Sequence, residues 1–221
     1  FGSSEAEVVA EHEDGTRTWR YEHNGAGGIL YAGDYIREDI EAGGMTIEFY
    51  YGRKHQAVME AAQAVDAVKE VVDYCTEHYG SLSFGTGETL KLIQSRVAGG
   101  GYATTGASLL DEADFTAANL GNTEKGGGAG EVMIHELVHQ WWGLGNMFDT
   151  SDPTSPWSAE GLTVYTTYRI VKELYGEDYA REHYVDQWQK AVDDYYLNFY
   201  VRNPEYLEML PEQVRLAISN S

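Results

Sequence analysis

Within EVMIHELVHQWWGLG, residues 131–145, three side chains have the types and the spacing for metal chemistry: His135, Glu136 and His139. On a helix, positions four apart share a face one turn apart, so both imidazoles can present a ring nitrogen to one cation. Glu136 points about 100° round the helix from His135. From there it reaches past the ion to a water on the open side instead of becoming a ligand. That is the division of labour of a hydrolytic Zn2+ site, with His135 and His139 as ligands and Glu136 as catalytic base.

The surrounding residues make the segment a buried helix. Val132, Met133, Ile134, Leu137, Val138, Trp141 and Trp142 leave it apolar nearly all round. Two imidazoles and a carboxylate in such a setting need partners, because unpaired burial of polar groups is costly. A metal ion supplies one. The other histidines, His12, His23, His55, His78 and His183, read as ordinary core or surface residues.

A catalytic zinc site takes a third protein ligand and keeps a fourth position open. Glu160, in PWSAEGLTVY, is the candidate, an acidic residue in the first turn of a downstream helix amid apolar neighbours. A carboxylate there also suits the helix dipole with no metal involved. Residue type and position alone leave both readings open.

The elements that must hold these residues follow from periodicity. Residues 1–52 carry short β-rich runs, Thr16 to Tyr21, Ile29 to Tyr35 and Met45 to Tyr51, between glycine-rich turns at Gly25 to Gly28 and Gly43-Gly44. From Gln56 to His78 apolar residues recur at helical spacing, and Gly80 is the stop. Thr89 to Val97 reads as a strand, and residues 102–110, YATTGASLL, as another with Gly106 weakening its middle. Residues 121–130, GNTEKGGGAG, are a flexible loop by composition, placed to act as a lid or a connector, and 149–156 are turn material. Helical stretches follow from Trp157 to Gly176, from Glu177 to Tyr200 and from Pro204 to Ile218. Strands first and helices after give an α+β fold, and no internal repeat is visible.

Composition narrows the function classes. The chain has 221 residues, 43% apolar and 13% aromatic, which is a globular composition. Its net charge of -21 excludes nucleic acid or anionic lipid as a partner held by a basic patch. Cys75 is the single cysteine, so no intrachain disulfide forms and the redox compartment stays open. No apolar run approaches the roughly 18 residues of a membrane span, so the chain itself does not insert into a membrane. It begins at Phe1 and ends on Ser219-Asn220-Ser221, as an excised piece of a longer protein would.

HELVHQWWG followed by W-x-x-E-G-x-x-x-Y resembles the gluzincin metallopeptidases related to aminopeptidase N, whose pattern is HExxH, eighteen residues, then Glu. Here twenty residues separate His139 from Glu160. The family continues its first motif as HQWxGN, and this chain has HQWWG-Leu144-Gly145-Asn146. Removing Leu144 and Gly145 restores both the Gly-Asn junction and the family spacing, so these two residues read as a loop insertion just past the helix. The resemblance thus implies Glu160 as third zinc ligand. It also implies a thermolysin-like zinc-peptidase domain, with a mixed sheet then helices, over residues 53–221 and truncated at its carboxy-terminal end. Residues 1–52 become the end of a β-rich amino-terminal domain. The activity implied is hydrolysis of a peptide substrate by metal-activated water, with Glu136 as general base.

Three departures from the family pattern bear on function. Exopeptidase members use a GxMEN segment whose Glu binds the substrate amino group; the aligned stretch is Gly100-Gly101-Tyr102-Ala103-Thr104, with Ala103 at the position of that Glu. Gly100, Gly101 and Tyr102 remain as substrate-binding residues that offer backbone hydrogen bonds to an extended peptide, without a strict requirement for a free amino terminus. Thr167 stands where relatives carry an acidic residue that supports a zinc histidine. The family's transition-state tyrosine lies farther beyond the third ligand than this chain extends, and Tyr195, Tyr196, Tyr200 and Tyr206 read as packing residues. The resemblance also takes in peptidase-like domains attached to bacterial transporter permeases, which implies a second reading: an extracytoplasmic binding or sensing module of a membrane-anchored parent. Relatives that open epoxides give a third.

Overall fold

A computed structural model describes residue 1 and residues 6–21, 30–82, 89–96, 100–115, 130–146 and 157–212. The glycine turn at 25–28, all but the last residue of the expected loop at 121–130, the turn at 149–156 and the end of the last expected helix fall outside these residues.

The described residues form two compact units, Phe1–Val171 and Lys172–Ser221. In the first, β1 (Ala6–Glu11) and β2 (Arg17–Tyr21) make a separate antiparallel pair. The main sheet has five strands, β3 (Tyr35–Ala42), β4 (Met45–Gly52), β5 (Thr89–Ser95), β6 (Gly101–Thr104) and β7 (Ala107–Asp111), in the order β3-β4-β5-β7-β6. β4, β5 and β7 run parallel, while β3 and β6 flank them antiparallel. The fold is α+β, as the order of elements predicts, with the mixed sheet that the resemblance implies. Because β4 pairs with β5, this sheet runs continuously across residue 52, where the sequence reading puts a domain boundary.

Several expected elements are redrawn. The strand expected over residues 29–35 instead occupies Tyr35–Ala42, whose Arg37, Glu38, Asp39 and Glu41 hide its pattern. Those charges suit a solvent-facing outer strand. β3 turns into β4 through Gly43 and Gly44, both at positive φ, 59° and 75°, where glycine is the unstrained residue. The single strand expected over 102–110 is a hairpin. Gly106, at φ 77°, makes its turn, and β6 folds back on β7. The helix expected from Gln56 to His78 is two, α1 (Gln56–Ala61) and α2 (Ala64–Tyr79), broken by Gln63 in the left-handed conformation at φ 51°. No glycine or proline marks that break.

Register fixes which side of the sheet faces the helices. Ile47 and Leu90 pair, as do Phe49 and Leu92, Leu92 and Ser108, and Ser108 and Ala103. Side chains of paired residues share a face, and these, almost all fully buried, form the core against which α2 and α3 (Gly130–Val138) pack. In α3, Met133, Ile134, Leu137 and Val138 are shielded from solvent. Trp141, just beyond, is also buried, and its indole N–H donates to the Gly80 carbonyl at 2.7 Å, tying α3 to the end of α2.

A wide helical turn, Trp157–Gly161, leads into α4 (Leu162–Tyr175), which Gly176 ends at φ 93°. In the second unit, α5 (Glu177–Ala180) continues through a wide turn at Arg181–Val185 into α6 (Asp186–Arg202), followed by the tight turns of Pro204–Met209. α6 buries no side chain. Tyr195, Tyr196 and Tyr206, expected as packing residues, are exposed. Tyr195 meets Tyr196 edge-on and Tyr206 tilts against Phe199, contacts within this unit that leave all three largely open to solvent.

Candidate active site

Three elements bring the candidate site together: the end of α3 supplies His135, Glu136 and His139, the turn before α4 supplies Glu160, and β6 supplies the facing wall. His139 lies one residue past Val138, but its N–H still donates to the His135 carbonyl at 3.1 Å, so both rings stand one helical turn apart as the motif requires. Their Nε2 atoms are 3.1 Å apart. Glu160 Oε2 is 3.3 Å from the first and 3.5 Å from the second.

These distances test whether a metal fits. Tetrahedral ligands bound about 2.0–2.1 Å from a zinc ion stand roughly 3.3 Å from one another. The three donors have that spacing. The protonation pattern agrees: His139 Nδ1 lies 3.1 Å from the Trp142 carbonyl, which can only accept, so Nδ1 carries the hydrogen and Nε2 keeps the lone pair a metal takes. Thr163 Oγ1, 3.2 Å from the same nitrogen, flanks it. Thr167 plays no such part, since its hydroxyl donates to the Thr163 carbonyl at 2.8 Å. A backbone carbonyl and Thr163 therefore orient the ring, in place of the acidic residue of the family pattern. No other group of three or more His, Cys, Asp or Glu side chains among the described residues could hold an ion.

Glu136 is 7% exposed. Burial pushes its carboxyl up to about 7, and the nearby Glu160 carboxylate adds to the effect. Burial, with the His139 ring beside it, lowers the affinity of His135 for a proton. A carboxyl that trades its proton near neutrality suits general acid-base work.

Gly101 explains how Glu136 is held. A Cβ at Gly101 would lie 2.3 Å from Glu136 Cγ and 2.6 Å from its Cδ, so the Glu136 side chain lies directly on the β6 backbone. Only glycine leaves that room. The cleft, about 300 Å3, is lined by Gly101, Tyr102, Ala103, Gly143, Leu144 and Ala159 around the four polar side chains. Of the expected substrate-binding residues, Gly101 and Tyr102 line it. Gly100 does not, because its carbonyl accepts the Asp111 N–H at 2.8 Å and closes the hairpin.

The two residues read as an insertion form part of a tight turn. Gly143 N–H donates to the Asn146 carbonyl at 2.8 Å, and Asn146 N–H to the Trp141 carbonyl at 2.9 Å. The turn leaves His135, His139 and Glu160 close together and also sets Leu144 into the cleft lining. Leu144, Ala159 and Thr163 carry no motif of their own; proximity in sequence to a ligand was the one signal that could have found them.

Known proteins give the site a context. Residues 63–199, more than half of the chain, match the model of the Peptidase family M1 domain. Leucine aminopeptidase 2 of Emericella nidulans is 31% identical over 81 residues, 37% of this chain and 12% of that protein. A leukotriene A-4 hydrolase homolog of Botryotinia fuckeliana is 36% identical over 64 residues, 29% of this chain and 9% of that protein. Among solved structures, aminopeptidase A of Legionella pneumophila, in complex with aspartic acid, superimposes with a TM-score of 0.51 at 21% identity, over 65% of this chain and 17% of that one. A mutant of the M1 zinc metallopeptidase of Deinococcus radiodurans gives 0.52 at 16% identity, over 86% and 41%. At these identities the structures speak for the fold. The chain spans about an eighth of the length of the first of these relatives.

Proposed function

This chain belongs to peptidase family M1, and from that premise we propose that it is a zinc metallopeptidase that hydrolyses peptide bonds, with His135, His139 and Glu160 holding the ion and Glu136 moving the proton. The observation that carries the reading is the convergence of three donor atoms within 3.5 Å of one another beside a buried carboxyl that is not one of them. Bound zinc supplies a Lewis acid that acidifies water and polarises a carbonyl.

The chain's own groups do the rest. The Trp142 carbonyl and Thr163 keep the His139 ring turned toward the ion. Glu136 takes a proton from the attacking water and returns it to the amine as the carbon–nitrogen bond breaks. β6 is an outer strand of the sheet among the described residues, and its backbone can pair with an extended peptide laid along it. Apolar side chains at Ala103, Leu144 and Ala159 favour an apolar substrate residue next to the scissile bond.

The same lining supports tolerance of a blocked amino terminus. Among the described residues its carboxyl groups are Glu136 and Glu160, both engaged in the chemistry, and Ala103 offers none. A free ammonium therefore has no carboxylate of its own among the described lining residues. The test is zinc quantification on the full-length protein together with a peptide panel in free and amino-acetylated forms. The expected result is one zinc per chain and cleavage of both forms. Turnover of free peptides alone would overturn the tolerance, and no cleavage at full zinc occupancy would overturn the hydrolysis.

A further inference from the structure

Gln140 and Ser108 are fully shielded from solvent, and neither belongs to the metal triad. Gln140 immediately follows the ligand His139, yet its side chain points into the β6–β7 hairpin. Its Oε1 accepts the Gly106 N–H at 3.0 Å. Its Nε2 donates to the Thr104 carbonyl at 3.0 Å and to Ser108 Oγ at 3.1 Å, with the Ala107 carbonyl at 3.4 Å. Ser108 then donates to the Glu136 carbonyl at 2.7 Å. Every hydrogen in this relay has one direction: amide to hydroxyl, hydroxyl to the backbone of the catalytic residue. The carboxamide thus grips the turn of the hairpin at both of its strands, and the relay ends on Glu136.

The grip matters because the spacing between hairpin and helix leaves no slack. Gly101 and Ser108 lie on the same face of the sheet, and the Glu136 side chain fills the space that a Cβ of Gly101 would take. A shift of the hairpin by a fraction of an ångström changes where the Glu136 carboxyl sits and where the β6 edge meets a peptide. We propose that Gln140 is a positioning residue, which sets the distance between the peptide-binding edge of β6 and the metal-binding end of α3. The inference rests on the peptidase reading above and adds to it the device that aligns substrate with the site.

Isosteric changes separate the parts of the grip. Gln140→Glu keeps an acceptor for Gly106 but gives no hydrogen to the Thr104 and Ala107 carbonyls, and Gln140→Met removes every bond at nearly equal length. Ser108→Ala cuts only the relay to Glu136 and serves where the Gln140 variants fold poorly. Three measurements are made on the full-length protein: zinc per chain, amide hydrogen exchange over residues 101–111 and 131–142, and affinity for peptides of increasing length in a Glu136→Gln background. The last needs no turnover, so failure of the hydrolytic reading would show in the parent's activity and leave these measurements to decide this one.

For Gln140→Met the expected result is unchanged zinc, exchange about 10-fold faster in 101–111 with 131–142 little altered, and affinity for extended peptides about 10-fold weaker. A single amino-acid amide, which does not span β6, should bind within about 2-fold of the parent. Ser108→Ala should shift the same quantities less. Two outcomes overturn the proposal: exchange and peptide affinity that do not move, or zinc, helix protection and binding of every ligand that fall together, as for a residue that only fills the core.

Discussion

The two walls of the cleft are built in opposite ways. The helix wall, α3 and the turn before α4, carries its chemistry in side chains: two imidazoles and a carboxylate converge on one point, and Glu136 stands beside them. The hairpin wall, β6 and β7, contributes by what it lacks. Gly101 has no side chain, so Glu136 can lie on the strand, and Ala103 adds no carboxylate to the two that line the cleft among the described residues. One wall is specified by residue identity and the other by room, so substitutions on the two sides should fail differently.

His139→Ala, on the helix wall, is expected to have the largest effect. It removes a ligand and should lower zinc affinity by well over 100-fold, since loss of a mere supporting hydrogen bond costs about 10–100-fold. Activity should vanish with the metal, read by zinc content and turnover together. Gly101→Ala on the hairpin wall should leave zinc at one per chain yet cut kcat by about 100-fold, because the new methyl displaces the Glu136 carboxyl from its seat. If zinc and turnover fell together in Gly101→Ala as well, the contrast between the walls would be lost.

Leu144→Ala sharpens the comparison at the cleft rim. It should lower kcat/KM about 5-fold for peptides with a large apolar residue at the scissile bond and leave alanine peptides unchanged. The smallest effect is expected for Thr163→Val, about 3-fold in zinc affinity by metal competition, because the Trp142 carbonyl continues to hold His139 Nδ1.

How much of this was legible in the sequence follows the same division. His135, Glu136 and His139 announce themselves because helical geometry turns a four-residue spacing into a shared face, and the structure brings them together with Glu160 despite the two extra residues. The α+β order was equally readable. The hairpin was not: Gly106 looks like a weak point within one strand until its positive φ makes it a turn. The resemblance marks Gly101 as a residue of the substrate strand, but not that the Glu136 side chain packs against it. The break at Gln63 was hidden because apolar periodicity continues through it, and the exposed tyrosines of α6 were misread because helical spacing shows which residues share a face but not whether anything covers that face. Trp142 holds His139, the proposed ligand, through its backbone carbonyl, which no side-chain pattern can display.

The central claim is that Glu136 moves the proton at a zinc site it does not ligate. Glu136→Gln keeps the side chain's shape and removes its basicity. In the full-length protein it should retain one zinc per chain and lose turnover by about 1000-fold, within the range that general acid-base groups contribute. A variant that carries its zinc and cleaves peptides at the parent's rate would contradict the account.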